Sequence, residues 1–257
     1  MELVNCLNCK KPIPNYPSHN RKYCSIACRD YKTINFCSNT AYYLIGVYLG
    51  DGTLGIYKQG CYKQILSGRK LYTYPTSIFS FATIDYEFAL KVKNCLMTCL
   101  GMDKLSIRIR KPSKTQYGKN NMFAIFVKNK QVGKFIKFVK RIEKRNFKNL
   151  KKQQRIEILR GFFDSEGCIT LQLSKYVKKK NITTIQATMS NKDKKIIDIM
   201  VDMLNSLGIK NSVYYKKSND YFIILIYKDY MKILYSLFGN KLTIKRKDER
   251  VKRYGNN

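Results

Sequence analysis

The sequence predicts an α+β protein of two pseudo-symmetric halves, each with the element order αββαββα, preceded by a small cysteine module. Three observations lead to this prediction. An acid-glycine junction ends two separate apolar runs, the residues behind the two junctions align, and four cysteines near the amino terminus come in two close pairs. The expected domains are residues 1–36, 39–150 and 151–257.

The repeat becomes visible when "LIGVYLGDG" (44–52) is set in register with "LRGFFDSEG" (159–167). Residues 83–101 then align with residues 190–208 without a gap. Both of these segments carry apolar residues at helical spacing and end in glycine, which favours a helix with a left-handed cap. The segment between the acid and this helix is longer in the first half, 32 residues against 24. Two such units in one chain predict an internal pseudo-dimer.

The charge of the chain indicates a polyanionic partner. Fifty Lys and Arg residues face 17 Asp and Glu residues, a formal net charge of +33, which destabilises a compact fold by self-repulsion unless a polyanion screens it. The alternative is a soluble lysine-rich protein from an AT-rich genome, but such a bias does not account for the scarcity of acids. With 44% apolar residues the chain is not a disordered tail. Nucleic acid is therefore the expected partner.

Apolar runs in the sequence are all shorter than the ~20 residues that cross a bilayer. The amino terminus shows no signal-peptide pattern. We therefore expect an intracellular protein, in a prokaryote, a phage-infected cell or an organelle. In a reducing compartment the nine cysteines are expected as metal ligands or core thiols.

The amino-terminal cysteines follow the pattern C-x2-C-x14-C-x3-C, formed by Cys6, Cys9, Cys24 and Cys28. Thiolate pairs at this spacing suit a tetrahedral Zn²⁺, and so short a segment buries little core of its own. The module resembles the zinc-ribbon and treble-clef units appended to nucleases. The sequence predicts structural zinc, with free core thiols as the alternative.

Small residues recur on both apolar motif helices. Gly46 and Gly50 lie four residues apart, and Gly161 and Ser165 hold the equivalent places. Small residues at this spacing let two helix backbones approach closely. We therefore expect the two helices to cross at the pseudo-two-fold axis, with their carboxyl ends adjacent.

The acids Asp51 and Glu166 end these helices, where the negative end of the helix dipole disfavours a carboxylate. Repulsion between two such carboxylates adds to this cost, and a shared divalent cation removes both costs. Oxygen ligands favour Mg²⁺ or Mn²⁺. On a basic protein the expected substrate of this metal site is a phosphodiester. The alternative is that each acid merely begins a glycine turn.

The two nine-residue segments resemble the motif that names the LAGLIDADG homing endonucleases. The resemblance covers both motifs and, in outline, the chain from about residue 39 onward. Leu49 and Arg160 depart from the usual pattern, as does a glutamate at the second acid, but both metal-binding positions keep an acid, here Asp51 and Glu166. The resemblance implies saddle-shaped antiparallel sheets in the major groove and metal-dependent cleavage of both strands.

The same resemblance implies a functional monomer without an obligate protein partner, acting on double-stranded DNA with a long asymmetric target site. Two alternatives share this scaffold: an RNA maturase that assists intron splicing and a non-cleaving DNA-binding regulator. Retention of both acids argues against the regulator and disfavours the maturase. Whether the gene lies in an intron is left open.

Several strands carry polar residues on one face and apolar residues on the other, which suits a sheet with one wet face. Arginine can pair with guanine and glutamine with adenine in the major groove. The alternative for each residue is an ordinary half-exposed sheet. The residues predicted to contact DNA are Arg108, Arg110, Gln172, Thr184, Gln186, Thr188 and Lys216.

Basic or polar residues near the scissile phosphates are expected from the same resemblance. Lys245 and Lys192 are the preferred candidates in the second half, with Asn191 beside the latter, and Lys148 is a weaker candidate in the first half. A lysine close to a phosphate stabilises the charge that develops in the transition state. The alternative for each is an ordinary solvated side chain.

Overall fold

The computed structural model describes residues 3–5, 11–14, 36, 38–65, 68–111, 121–174 and 182–254. Two short amino-terminal strands, β1 and β2, pair antiparallel. The elements up to the end of the first half are β1 (Leu3–Asn5), β2 (Pro12–Pro14), α1 (Asn39–Leu49), β3 (Thr53–Ile65), β4 (Gly68–Thr83), α2 (Tyr86–Leu100), β5 (Arg108–Arg110), β6 (Met122–Lys128) and α3 (Lys130–Lys144).

The second half repeats this order and adds one helix. Its elements are α4 (Lys152–Glu166), β7 (Gly167–Ser174), β8 (Ile182–Asn191), α5 (Lys194–Ser206), β9 (Ser212–Lys216), β10 (Tyr221–Ile226), α6 (Lys228–Leu237) and α7 (Lys245–Tyr254). The predicted αββαββα order is therefore present in both halves, while α7 was not predicted. The glycines expected to end the second helix of each half adopt left-handed backbone angles, with φ of 61° at Gly101 and 74° at Gly208.

Each half contains one four-stranded antiparallel sheet. The strand orders are β3-β4-β6-β5 and β7-β8-β10-β9, so the two sheets have the same topology. This confirms the predicted α+β class with antiparallel sheets. The boundaries predicted between the domains stay a prediction, because one hydrophobic cluster of buried residues runs through both halves.

One face of each sheet packs against the helices. In β4 the side chains of Phe79 and Phe81 are buried, and in β8 those of Ala187 and Met189 are buried. Successive residues of a strand point to opposite faces, so the residues between these lie on the other, open face. The two sheets therefore present one apolar and one accessible face each, as the alternating strands predicted.

Helices α1 and α4 pack with their backbones in direct contact. A Cβ atom added to Gly46 would collide with the carbonyl oxygen of Ile158, and one added to Gly161 would collide with that of Tyr43. Neither obstacle is a flexible side chain, so only glycine fits at the crossing. The expected role of the small residues is borne out by this geometry.

The four cysteines of the predicted zinc module lie outside the described residues, so that module stays a prediction. Cys95 and Cys99 are buried in α2, as core residues. Within the part of the chain that the structure describes, no helix has both the length and the apolar character needed to cross a membrane.

Replacing Gly46 or Gly161 with alanine should lower the free energy of unfolding by about 1–3 kcal/mol, because backbone must move to admit each methyl group. Chemical denaturation measures this. Gly133→Ala in α3 is the matched control, since its Cβ would meet only the Ser77 hydroxyl, at 2.7 Å, and alanine favours the helix by ~1 kcal/mol. Equal losses in all three variants would contradict the close crossing.

Candidate functional site

The carboxyl ends of α1 and α4 bring the two motif acids together. Asp51 lies two residues beyond the end of α1, and Glu166 is the last residue of α4. A Cβ placed on Gly50 would lie 3.1 Å from Cγ of Glu166, so the residue preceding Asp51 is in contact with the other acid's side chain. The expected meeting of the helix ends is therefore observed.

Burial disfavours the ionised form of both acids, and the charge of Asp51 disfavours it further at Glu166. Loss of solvation, and then the charge of Asp51, raise the pKa of Glu166 to about 7. Loss of solvation also raises the pKa of Asp51 above its usual value. The ammonium of Lys247 opposes both shifts. The acid pair is thus a site of concentrated negative charge that a nearby cation stabilises.

Lys247 reaches this site from α7. Its Nζ donates to the carbonyl oxygens of Phe163 at 2.9 Å and Asp164 at 2.8 Å, in the last turn of α4. These carbonyls form the negative end of the α4 dipole, where a cation is favourable. The side chain is buried, and loss of solvation lowers the pKa of its ammonium. Lys247 also lines a cavity of about 270 Å³ together with Asp51 and Ser165.

A second buried carboxylate supports the same helix crossing. Tyr43 in α1 donates its hydroxyl hydrogen to Oδ2 of Asp164 in α4, at 2.8 Å. Both residues are about 1% exposed. Burial raises the pKa of the Asp164 carboxyl, while the Tyr43 hydroxyl opposes that shift. The polar contact therefore links the two halves inside the core, two residues before Glu166.

Arginines of α7 hold that helix against both halves. Arg246 binds the Asp85 carboxylate through Nε and a terminal nitrogen, both at 3.0 Å, and Asp85 belongs to the first half. Arg250 donates to the carbonyl oxygen of Ile169 at 3.0 Å, in the second half. The position of Lys247 thus depends on contacts with both repeats.

The basic and polar residues predicted near the scissile phosphates differ in their exposure and in their distance from the motif helices. Lys245 is exposed, with Nζ 3.9 Å from a Glu249 oxygen, and Lys192 is exposed with its ammonium 5.4 Å from the centre of the Tyr221 ring. Lys148 is exposed as well. Asn191 donates to the carbonyl oxygen of Leu49 at 3.3 Å, at the end of α1. Of these residues, Asn191 contacts a motif helix close to its acid.

Lys247 and Asp164 were not singled out from the sequence. A signal for Lys247 exists, because it lies between Ile244 and Val251 on one helical face, and both of these are buried. Finding it required recognising residues 245–254 as a helix. Asp164 is an acid inside the otherwise apolar run "GFFDSEG", which is itself a signal for a buried polar contact.

Among the residues predicted to contact DNA, those whose side chains the structure describes lie on the open side of the two sheets. Gln186 and Thr188 alternate with the buried Ala187 and Met189. The register sets Thr184 opposite Gln172, which places these two positions on the same side of the ribbon. Arg108, Arg110 and Lys216 are exposed on β5 and β9. Their contacts with DNA stay a prediction.

The donor set of the site consists of two carboxylates. Among the described residues, no three or more His, Cys, Asp and Glu side chains cluster closely enough to hold a metal ion. Two carboxylates at the shared ends of two helices fit a hard divalent cation whose other ligands are water and phosphate oxygens, as Mg²⁺ prefers. The adjacency of two partly buried carboxylates, Asp51 and Glu166, favours such a cation.

Replacing Glu166 with glutamine should stabilise the metal-free protein at pH 8, on the order of several degrees in Tm. The folded pKa of about 7 exceeds the usual 4.5, so the unfolded chain binds fewer protons between these values and the stability contributed by Glu166 falls as pH rises. At pH 5 the difference should be much smaller. Melting curves in EDTA measure it, with Asp198→Asn as an exposed-acid control; equal shifts at both pH values would contradict the shifted pKa.

Comparison with known proteins agrees with this architecture. Residues 153–239, from α4 to the end of α6, match the LAGLIDADG-like domain family. A 66-residue segment is 36% identical to the uncharacterized protein MJ0314 of Methanocaldococcus jannaschii. That segment covers 26% of this chain and spans only 23% of the length of the relative.

Solved structures of two nucleases share the fold. I-DmoI, described as a homing endonuclease, in complex with DNA and Ca is similar with a TM-score of 0.54 and 16% identity over 84% of this chain and 97% of that one. The meganuclease I-SmaMI bound to uncleaveable DNA is similar with a TM-score of 0.51 and 12% identity, over 81% and 85% of the two chains. Residues 153–239 are therefore similar to a LAGLIDADG-like domain, and most of the chain has the fold of these two proteins.

Proposed function

We propose that this protein is a site-specific double-strand DNA endonuclease of the LAGLIDADG homing type. Its substrate is a long asymmetric duplex site, and its cofactor is Mg²⁺ or Mn²⁺ bound by Asp51 and Glu166. It acts as a monomer, because one chain supplies both halves of the site. The amino-terminal cysteine module adds a structural Zn²⁺.

The observation that carries this proposal is the acid pair at the crossing of two equivalent helices. Each half supplies one carboxylate, and the two carboxylates stand at the carboxyl ends of the equivalent helices α1 and α4. A duplex has two strands related by a similar symmetry, so such a pair suits one cut in each strand. The net charge of +33 favours DNA as the molecule that approaches it.

The reaction is hydrolysis, in which water adds to phosphorus and the bond to the leaving sugar oxygen breaks. A divalent cation held by Asp51 and Glu166 would supply the activation of the water and the stabilisation of the leaving oxygen. The chain's own residues hold the ligands in place: Lys247 binds the last turn of α4, and Asn191 binds the end of α1. Lys247 also supplies positive charge beside the acids, where the phosphate charge develops.

The neighbouring structures support this choice over a maturase or a regulator. I-DmoI was crystallised with its DNA in the presence of Mn or Ca, and I-SmaMI with DNA. In this chain both acids are kept at a site where each carries an electrostatic cost. A protein that only bound RNA or DNA would gain stability by losing them.

Replacing Asp51 with asparagine should reduce Mg²⁺-dependent double-strand cleavage of the DNA flanking the gene by at least about 100-fold, because one ligand carboxylate is lost. Binding should survive, since phosphate contacts dominate affinity. Cleavage and gel-shift assays on the same duplex measure both. Cutting by Asp51→Asn at the wild-type rate would refute the role of this acid.

Lys247→Met should lower the single-turnover cleavage rate by about tenfold or more with little change in Kd for DNA, because a buried cation beside the acids is lost. Lys245→Met is the matched control, since Lys245 belongs to the same helix but is exposed, and its rate should stay at the wild-type value. Rates are compared below the Tm of each variant. A slow Lys245→Met with a normal Lys247→Met would refute the role of Lys247 and support Lys245 in its place.

A further inference from the structure

The β3–β4 ribbon extends much farther from its sheet than the β7–β8 ribbon. Beyond the last pair flanked by β6, ten β3–β4 pairs follow, from Ile56 opposite Ser77 to Ile65 opposite Gly68. Beyond the last pair flanked by β10, the described residues of the β7–β8 ribbon form five pairs, from Thr170 opposite Gln186 to Ser174 opposite Ile182. Among the described residues the first ribbon is therefore the longer one.

Both ribbons start at an acid, so their length measures distance from the candidate site. Thr53 follows Asp51 by two residues and Gly167 follows Glu166 directly, and the strands that begin there have 13 and 8 residues. The chain between the acid and the next helix is also longer in the first half, with 34 residues (52–85) against 27 (167–193). The strand lengths give five extra residues per strand, and the seven extra chain residues, shared between two strands, give about four, or about 13–17 Å.

The open face of the long ribbon is aromatic. Tyr72 and Tyr74 alternate with residues that point to the helix side, and Tyr57 lies on the same open side because it pairs with Thr76. Cations sit on two of these rings: Nζ of Lys70 is 5.9 Å from the Tyr72 ring centre, and Nζ of Lys128 is 5.4 Å from that of Tyr74. The opposite ribbon instead carries the polar residues Gln186 and Thr188 on its open face.

The charge of the ribbon is complementary to a polyanion. Residues 52–84 contain no Asp or Glu, and their charged residues are Lys58, Lys63, Arg69 and Lys70. A two-stranded ribbon fits the major groove of B-DNA. The ribbon face continues the open face of the first sheet without a break, so a duplex on that sheet meets the ribbon next.

We infer that the first half contacts DNA about four to five base pairs farther from the cleavage centre than the second half, through the β3–β4 ribbon. The base-pair rise of 3.4 Å converts the extra 13–17 Å into this number. Aromatic and cationic side chains bind the outer segment of the duplex. We therefore expect this contact to raise the affinity for DNA without reading base edges through hydrogen bonds. The inference deepens the proposed function, because the partner is the same duplex.

The test is a footprint on DNA duplexes that the protein selects from a random library of about 40 base pairs. Selection and footprinting are done in EDTA, so that cleavage is not required. Hydroxyl-radical protection should reach about four to five base pairs farther on one side of the centre. A variant in which Asn-Gly replaces residues 61–72 ends the ladder at Gly60 opposite Thr73, with a two-residue hairpin turn. It should lose the excess protection on that side alone.

The same variant lacks Lys63, Arg69 and Lys70, so the slope of log K against log salt should fall by about 2–3. Tyr72→Ser should weaken binding by about fivefold, the loss of ~1 kcal/mol. Tyr62→Ser is the matched control, because Tyr62 is 71% exposed on the opposite face of the ribbon and should bind as the wild type does.

Equal reach on both sides, or an unchanged footprint and salt slope in the shortened variant, would overturn the inference. A wild-type dimer that becomes monomeric on shortening, measured by light scattering without DNA, would also overturn it, since the ribbon would then pair chains. These results are separate from cleavage: normal cutting by Asp51→Asn would refute the metal site and leave an asymmetric footprint standing.

Discussion

The backbone contact between α1 and α4 is the constraint on which the rest of the structure depends. Because Gly46 and Gly161 let the two helices touch, the carboxyl ends of both helices meet, and with them the acids Asp51 and Glu166. The packing at the crossing and the acid pair therefore depend on two positions without a side chain.

The two halves are equivalent in topology but unequal in chemistry. The end of α4 is held by the buried ammonium of Lys247, whereas the end of α1 is held by the amide of Asn191. Both groups come from the second half. The first half contributes the longer ribbon and the Asp85 carboxylate that anchors α7. The second half thus supplies the groups that hold both helix ends, and the first half supplies the carboxylate that anchors α7. The candidate site therefore requires both halves.

Local patterns carried most of what the sequence could predict. The helical periods, the left-handed Gly101 and Gly208 and the alternating strands each depend on neighbours in sequence, so the repeat order was predicted correctly. Contacts between residues that are far apart in sequence were harder to predict. Among the side chains of helix α7 whose burial is described, Val251 is the buried apolar one, and Ile244 directly precedes the helix. This short polar sequence gave little signal of a helix or of the inward direction of Lys247.

The candidate site shows the same division between local patterns, which the sequence predicts, and long-range contacts, which it does not. Two acids at the ends of small-residue helices identify Asp51 and Glu166, because the dipole and repulsion costs can be derived without coordinates. Lys245 was predicted without knowledge of which face of its helix meets α4, and Lys247, two residues away, is rotated by about 200° on a helix. The roles of these residues and the zinc module stay predictions.

The hydrogen bond between Tyr43 and Asp164 has a consequence for assembly. Under the repeat register, the positions equivalent to these two residues are Ile158 and Leu49, and both are buried and apolar. Two copies of the second half, paired through the same crossing, would set each Asp164 against an isoleucine, and two copies of the first half would set each Tyr43 against a leucine. Only the mixed pair satisfies both polar groups. If the two halves were expressed as separate chains, they would therefore form the mixed pair in preference to two pairs of identical halves. A single fused chain does not need this preference, but a split protein would depend on it.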